Sequence, residues 1–150
     1  MKLTKSLATL SVGLLLVVTA GAATSQAPPR LPNPILHLTG TEYYRDNGQA
    51  FVRYRYDVFN KQAYPAAMFA AAPGLPPCGA NANSSRSWVD FFTSRAQRLH
   101  GFCALNNPGQ LGSIWFALPE GEIPPSYVYI EINDRQTNTK YRSNLADTVP

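Results

Sequence analysis

Histidine and cysteine, which often carry catalysis or bind metals, are scarce in this chain of 150 residues, with two of each. A hydrolytic triad needs a nucleophile, a histidine base and an orienting carboxylate, and neither His37 nor His100 stands in a motif that supplies the other two. There is no GxSxG sequence, and the acidic residues show no spacing typical of a paired-carboxylate glycosidase. These absences predict that the protein is not an enzyme. A small secreted hydrolase is the second alternative function.

Metal-binding patterns are also absent. There is no Cys-x-x-Cys pair, so the two sulfurs together with His100 would give a metal at most three ligands. The acidic residues are isolated, and none of them lies in an Asp-rich loop of the kind that binds calcium. We therefore expect no metal and no cofactor.

Positive charge is not concentrated in any one segment. The chain has 13 Lys and Arg against 9 Asp and Glu. Loss of an N-terminal signal would remove Lys2 and Lys5 and leave 11 basic residues against 9 acidic ones. The remaining arginines are scattered through predicted strands, and nucleic-acid binding normally requires a basic patch. We expect no nucleic-acid partner.

The one long hydrophobic run lies at the start of the chain. Two lysines precede an apolar stretch from Leu7 to about Ala20, and small residues follow it. This is the pattern of a signal peptide, which we place at residues 1–26. The run is shorter than the roughly 20 residues of a spanning helix and contains a serine and a glycine, so we expect no membrane span after cleavage. The sequence predicts export, to the periplasm or out of the cell.

The two cysteines, Cys78 and Cys103, would enter an oxidising compartment after export, where an even number usually means pairing. Only one connectivity is possible. The bridge would close a loop of about 26 residues, which the chain-entropy model values at roughly 3.5 kcal/mol. We predict a structural disulfide in preference to a metal site or a redox-active pair.

The rest of the chain alternates with period two. Residues 27–34, APPRLPNP, predict an extended lead-in because proline disfavours helix, and residues 35–150 predict one domain. In QAFVRYRYDVFN one face is apolar and the other is charged. The apolar face has Val52, Tyr54, Tyr56 and Val58, and the charged face has Arg53, Arg55 and Asp57.

Turn signals separate the strands. DNG at 46–48 predicts the turn of a first hairpin, and the proline-rich middle, residues 62–79, predicts an irregular connection with one short strand. About seven short strands and no long amphipathic helix predict an all-β fold, an antiparallel β-sandwich. The predicted strands are 35–44, 49–60, 85–92, 98–105, 111–118 and the two arms of a hairpin within 126–144.

The last hairpin has only one register that keeps charge out of the core. Pairing Asp134 with Thr139 makes residues 135–138 a four-residue turn and places Glu131 opposite Arg142, an attractive cross-strand pair. A shift by one residue would bury Lys140 and Arg142. The pairs expected on the core side are Ile132 with Tyr141, Ile130 with Ser143 and Val128 with Leu145.

Aromatic residues on the outer side of this hairpin are the candidate binding site. Tyr127 and Tyr129 alternate with inward Val128 and Ile130, so we expect them to face out and to stack on a sugar ring or a partner's side chains, together with Arg142. The alternative is that the tyrosines pair across strands or lie under a loop, without function.

A second candidate surface is the charged face of the strand that carries Arg53, Arg55 and Asp57. In a type III-like sandwich the second and sixth strands lie in different sheets. We therefore expect the two surfaces not to merge into one site.

In size and strand number the chain resembles fibronectin type III and immunoglobulin-like domains. Tyr127 or Tyr129 stands where such folds place a corner tyrosine, and Trp88 would be the buried indole of a third strand. The chain departs from that pattern by having Tyr54 and Tyr56 on its second strand, where type III domains have tryptophan.

The strings PPCG, SRSWV, GFCAL, WFALP, PPSYVYIEINDR and YRSN also resemble a group of uncharacterised exported bacterial β-sandwich proteins, over most of the mature chain. That resemblance implies one domain and a bacterial source, and no activity. The sequence thus predicts an exported, non-catalytic domain that binds a protein or a cell-envelope component. A purely structural or accessory envelope protein is the first alternative.

Overall fold

The alternating segments form strands in the computed structural model, which describes residues 30–79 and 84–149. The predicted signal peptide lies outside these residues. Eight strands are present in the described ranges, the eighth only two residues long. They are β1 (Leu36–Asp46), β2 (Gln49–Val58), β3 (Ser87–Thr93), β4 (Arg98–Phe102), β5 (Ile114–Pro119), β6 (Tyr127–Asp134), β7 (Thr139–Arg142) and β8 (Ala146–Asp147).

The strands divide between two antiparallel sheets. One is three-stranded, with the order β1-β2-β5, and the other is five-stranded, with the order β4-β3-β6-β7 and with β8 also paired to β6. The predicted antiparallel β-sandwich is confirmed, and β2 and β6 lie in different sheets as expected. In constant-type immunoglobulin domains the fourth strand joins the sheet of the first, second and fifth. Here it pairs with the third.

The core lies between the sheets and is built around aromatic rings. Tyr56 from one sheet meets Phe91 from the other at 5.3 Å between ring centroids, and Phe116 lies 5.6 Å from Phe91. All three side chains are buried. Offset and tilted aromatic pairs of this kind stabilise a core by about 0.5 to 1.5 kcal/mol beyond the area they bury. The Tyr56 hydroxyl donates to the Asp147 carbonyl at 3.0 Å, so the polar group of this buried ring is satisfied.

The first hairpin turns where DNG predicts it. Asp46 pairs with Gln49, and the two residues between them, Asn47 and Gly48, have φ values of 48° and 82°. Two consecutive left-handed residues are what a two-residue hairpin turn requires, because their twist matches that of the flanking strands. Asparagine and glycine are the residues that tolerate this conformation best.

The proline-rich middle forms two short 3₁₀ turns, Lys61–Ala63 and Ala66–Phe69, as an irregular connection. The expected short strand is a single bridge between Ala71 and Ser85. Met68 and Phe69 are buried and belong to the hydrophobic core. The lead-in is tied to the same segment, because the Tyr64 hydroxyl donates to the Pro32 carbonyl at 2.7 Å.

The register of the last hairpin is confirmed from Asp134, paired with Thr139, to Glu131, paired with Arg142. The prediction that Val128 faces Leu145 is wrong, since Val128 pairs with Ala146. The chain leaves β7 after Arg142. The Asn144 side chain then accepts a hydrogen bond from the N–H of Leu36 in β1 and donates one to its C=O. This detour shifts the pairing by one residue and leaves Leu145 half exposed.

Cys78 and Cys103 form the predicted disulfide, with their Cα atoms 5.5 Å apart. The bridge ties the irregular middle connection to the end of β4. Next to it, the Ser85 N–H donates to the Cys103 carbonyl at 2.8 Å. Within residues 30–79 and 84–149, no helix has the length and apolar character needed to cross a membrane.

Candidate functional site

The outer face of the five-stranded sheet contains all three residues predicted to bind a partner. Strand β6 alternates strictly here, with Val128, Ile130 and Ile132 buried in the core. Tyr127 begins the strand on the opposite side and is 46% exposed. Arg142 is exposed on the adjacent strand β7.

Tyr129 lies on the same outer face but is covered, with only 3% of its surface exposed. On one side Phe92 of β3 stacks on its ring at 5.3 Å between centroids, with the planes 18° apart. On the other side the Arg142 guanidinium lies over the ring, 3.8 Å from its centroid. Any contribution of Tyr129 to binding therefore acts through Arg142, which it holds in place. Neither Tyr127 nor Tyr129 makes the hydroxyl hydrogen bond of a corner tyrosine within the described part of the chain.

The predicted ion pair between Glu131 and Arg142 does not form, although the two residues are opposite each other. The Glu131 carboxylate instead lies 3.4 Å from the Lys140 ammonium. Arg142 instead places its planar, weakly hydrated guanidinium over the ring of Tyr129, in a cation–π contact. Arg142 thus keeps its N–H donors free of any carboxylate within 4 Å in the described ranges.

A second guanidinium on this face has the same arrangement. Arg135, in the β6–β7 turn, lies 3.9 Å above the ring of Trp88. Trp88 is therefore on the outer face and is not the buried indole that the immunoglobulin resemblance implies, since Val89 and Phe91 take the inward positions of β3. The sequence reasoning missed Arg135, because a turn residue has no strand parity that would assign it to a face.

The outer face of the five-stranded sheet consequently has an excess of positive charge. Its acids include Asp90, which pairs with Arg98 at 2.8 Å, and Glu131, which pairs with Lys140. Asp147 of β8 is also exposed on this face, opposite Tyr127. Arg135 and Arg142 have no carboxylate within 4 Å in the described ranges, and the face has a surplus of one positive charge.

The second candidate surface, on the three-stranded sheet, differs because its charges are paired. Glu42 accepts hydrogen bonds from Arg55, at 2.8 Å from its Nε, and from Arg53, at 3.4 Å. The Arg55 hydrogen bond holds the pKa of Glu42 below its usual value. Asp57 pairs with Lys61 at 2.6 Å. This face therefore offers little free charge to a partner, and it lies in the other sheet from the first surface.

His100, the residue that a hydrolase would need, is occupied by aromatic contacts. Its ring stacks on Trp115 at 4.7 Å and meets Phe102 edge-on at 4.8 Å. These contacts join the edge strands β4 and β5 of the two sheets. Burial, and next the positive charge of Arg98, hold the pKa of His100 below its usual value, and Asp90 opposes them only in part.

This environment makes stability depend on pH in a definite direction. A histidine whose folded pKa is lowered contributes fully above its unfolded value of about 6.5 and loses that contribution as pH falls through the folded pKa. We expect the free energy of unfolding to decrease between about pH 7 and pH 5, as measured by urea denaturation. His100→Gln should flatten this part of the profile, whereas the matched change His37→Gln, at an exposed site on β1, should leave it unchanged. A slope that survives His100→Gln would contradict the assignment.

A groove of about 600 Å³ lies at the end of the sandwich between the β3–β4 turn and the connection from β5 to β6. Tyr127 and Ile123 line it, and Ile123 is 89% exposed. Arg95 and Glu122 also line the groove. Tyr127 thus belongs to both the groove and the outer face.

Asp134 is buried, but its partners give it a structural role. Arg86 binds it with two hydrogen bonds, of 2.8 and 2.6 Å. Burial acts to raise the pKa of Asp134, but the hydrogen bonds from Arg86, Thr137 and the Gln136 N–H outweigh it, so that the pKa lies below its usual value. In the described residues no three His, Cys, Asp or Glu side chains are grouped so that they could hold a metal ion.

Fold and site together define an antiparallel β-sandwich with one disulfide and a basic, aromatic outer face. By sequence the chain is similar to the proline-rich 28 kDa antigen homolog of Mycobacterium leprae, with 34% identity over 87 residues. The match covers 55% of this chain and 31% of that protein, so the chain spans less than a third of its relative's length. No family model and no solved structure matches the chain.

Proposed function

We propose that the protein is an exported, non-catalytic β-sandwich that binds a cell-envelope component or a protein partner through the outer face of its five-stranded sheet. The observation that carries this proposal is the pair of arginines, Arg135 and Arg142. The guanidinium of each lies over an aromatic ring, 3.9 and 3.8 Å from the ring centroid, and has no carboxylate within 4 Å in the described ranges. On the three-stranded sheet Arg53 also lies over aromatic rings, those of Tyr44 and Trp115, but both Arg53 and Arg55 are paired with Glu42.

Stacking makes these two arginines suitable for recognition. An exposed arginine loses considerable rotamer freedom when a partner immobilises it, and this loss weakens binding. A guanidinium already held against a ring has lost part of that freedom before the partner arrives. Tyr127, half exposed next to them, adds an apolar surface of the kind enriched in interfaces.

Export is supported by two features of different origin. The disulfide between Cys78 and Cys103 is typical of oxidising compartments outside the cytoplasm. The signal-like pattern of the first 26 residues predicts passage into such a compartment. The similarity to a Mycobacterium leprae antigen homolog supports a bacterial source. It covers less than a third of that protein, so the role of that protein does not support the proposal.

The proposal predicts that binding to the envelope depends on this face. We expect the purified exported protein to sediment with fragments of the cell envelope, and Arg142→Ala to weaken that association by about tenfold, which corresponds to roughly 1.4 kcal/mol. Tyr129→Ala should weaken it similarly by removing the ring beneath Arg142, whereas Tyr129→Phe, which keeps the ring, should not.

Arg45→Ala is the matched control, because Arg45 is an exposed arginine on the other sheet. Unchanged sedimentation of the Arg142→Ala and Tyr129→Ala variants would remove this face from the proposal. A wild-type protein that does not associate with the envelope or with any protein would favour the structural or accessory role instead.

A further inference from the structure

Arg135, Lys140 and Arg142 form a basic stripe along the β6–β7 hairpin on the outer face. Lys140 and Arg142 are two residues apart on β7 and therefore point to the same side. Arg135 joins them from the turn by lying over Trp88. Lys140 alone has an acidic neighbour, Glu131, at 3.4 Å, and its own side chain is 59% exposed.

The two stacked guanidiniums are too far apart to bind one small anion together. Trp88, beneath Arg135, pairs with Asn133 of β6, whereas Arg142 lies over Tyr129, four residues back along the same strand. Four residues of strand span about 13 Å. A single carboxylate or phosphate reaches only one such fork of donors. Simultaneous use of both arginines therefore requires an extended ligand that carries several negative charges.

The aromatic residues of the face distinguish between kinds of polyanion. Single-stranded nucleic acid needs a series of free aromatic faces on which successive bases stack. On this face the rings of Trp88 and Tyr129 are covered by Arg135 and Arg142, and Tyr127 is the large aromatic residue that remains exposed. One free ring beside a stripe of guanidiniums suits a polymer of sugar rings whose charges are carboxylates, because the ring packs on a sugar face and the forks bind carboxylates.

From this arrangement we infer that the basic stripe binds an acidic polysaccharide, a polymer of carboxylate-bearing sugars. The inference rests on the proposed function and specifies the partner of the same face. Arg135 and Arg142 each bind a carboxylate, Lys140 adds attraction between them, and Tyr127 packs against a sugar ring at the end of the stripe.

The test uses polygalacturonate as the probe and the purified exported protein. We expect the wild type to be retained on immobilised polygalacturonate and to be released by salt, since exposed charges are screened within about 10 Å at 0.1 M. Retention on neutral dextran should be absent. Combined Arg135→Ala and Arg142→Ala changes should weaken binding at least tenfold, and Lys140→Gln by a few fold. Arg45→Ala should have no effect.

Two results would overturn the inference: equal binding by the double variant and the wild type, or tighter binding to single-stranded DNA or polyphosphate than to polygalacturonate. A polygalacturonate competition in the envelope sedimentation assay separates this inference from the proposed function. If envelope binding depends on Arg142 but polygalacturonate does not compete, the polysaccharide is wrong and the binding function stands. If the wild type binds neither the envelope nor any protein, the proposed function falls first.

Discussion

Replacing Arg86 with alanine should lower the free energy of unfolding by about 3 kcal/mol, because it leaves the Asp134 carboxylate buried without its cation. The Asp134 side chain is 4% exposed and the Arg86 side chain 24%. Two charge-assisted hydrogen bonds join them in the fork geometry that is strongest for arginine and carboxylate. The Thr137 hydroxyl and the Gln136 N–H remain bonded to Asp134, but they cannot neutralise it.

Arg98→Ala is the matched control for this prediction. Arg98 also pairs with an aspartate, Asp90, but its side chain is 61% exposed, and exposed pairs contribute only about 0.2 to 1 kcal/mol. Urea denaturation followed by tryptophan fluorescence would compare the two variants. A cost for Arg86→Ala no greater than that for Arg98→Ala would show that the buried pair contributes little.

Acid titration provides an independent check on the Arg86–Asp134 pair. A carboxylate whose folded pKa is lowered contributes stability above its unfolded pKa, about 3.9, and loses it as pH falls through the folded pKa. The Arg86→Ala variant loses the hydrogen bonds of Arg86, which oppose the effect of burial, so the pKa of Asp134 rises. The stability difference between the wild type and Arg86→Ala should therefore shrink as pH falls from the raised pKa of Asp134 in the variant to its lowered pKa in the wild type.

The parts of the fold that could be predicted from the sequence are those set by period-two burial and by local turn chemistry. Alternation in β2 and β6 decides which side chains enter the core, and a register that buries Lys140 is too costly to form. The Asn47–Gly48 turn follows from the tolerance of these residues for left-handed backbone. These constraints act over a few residues, so they can be recognised without the tertiary structure.

The candidate site could be predicted only in outline. Strand parity places Tyr129 on the outer face, but the ring is covered by Phe92, which lies 37 residues earlier in the chain, and by Arg142. Register places Glu131 opposite Arg142. A long side chain can reach several partners, however, and the Glu131 carboxylate pairs with Lys140. Such choices depend on neighbouring strands that the local pattern does not identify.

Removing the disulfide is the second change with a large expected effect. The Cys78→Ala, Cys103→Ala double variant should lose about 3.5 kcal/mol of unfolding free energy, the value of the chain-entropy model for a closed loop of about 26 residues. That loop contains the whole of β3 and β4. The bridge therefore restricts the unfolded chain over two strands of the five-stranded sheet.

The location of the bridge also predicts where the folded protein loosens. Without it, the segment before Gly79 is held by the hydrogen bonds of residues 70–72 and Pro76 with residues 84–86. In contrast, β3 remains paired on both sides, with β4 and β6. Hydrogen exchange should therefore accelerate most in residues 70–79 and least in β3. The same pattern should appear when the wild type is reduced, and the urea midpoints of the reduced wild type and the double variant should agree. Uniform acceleration across β3 and β6 would show instead that the bridge stabilises the native sheet itself, and the entropic explanation would then be wrong.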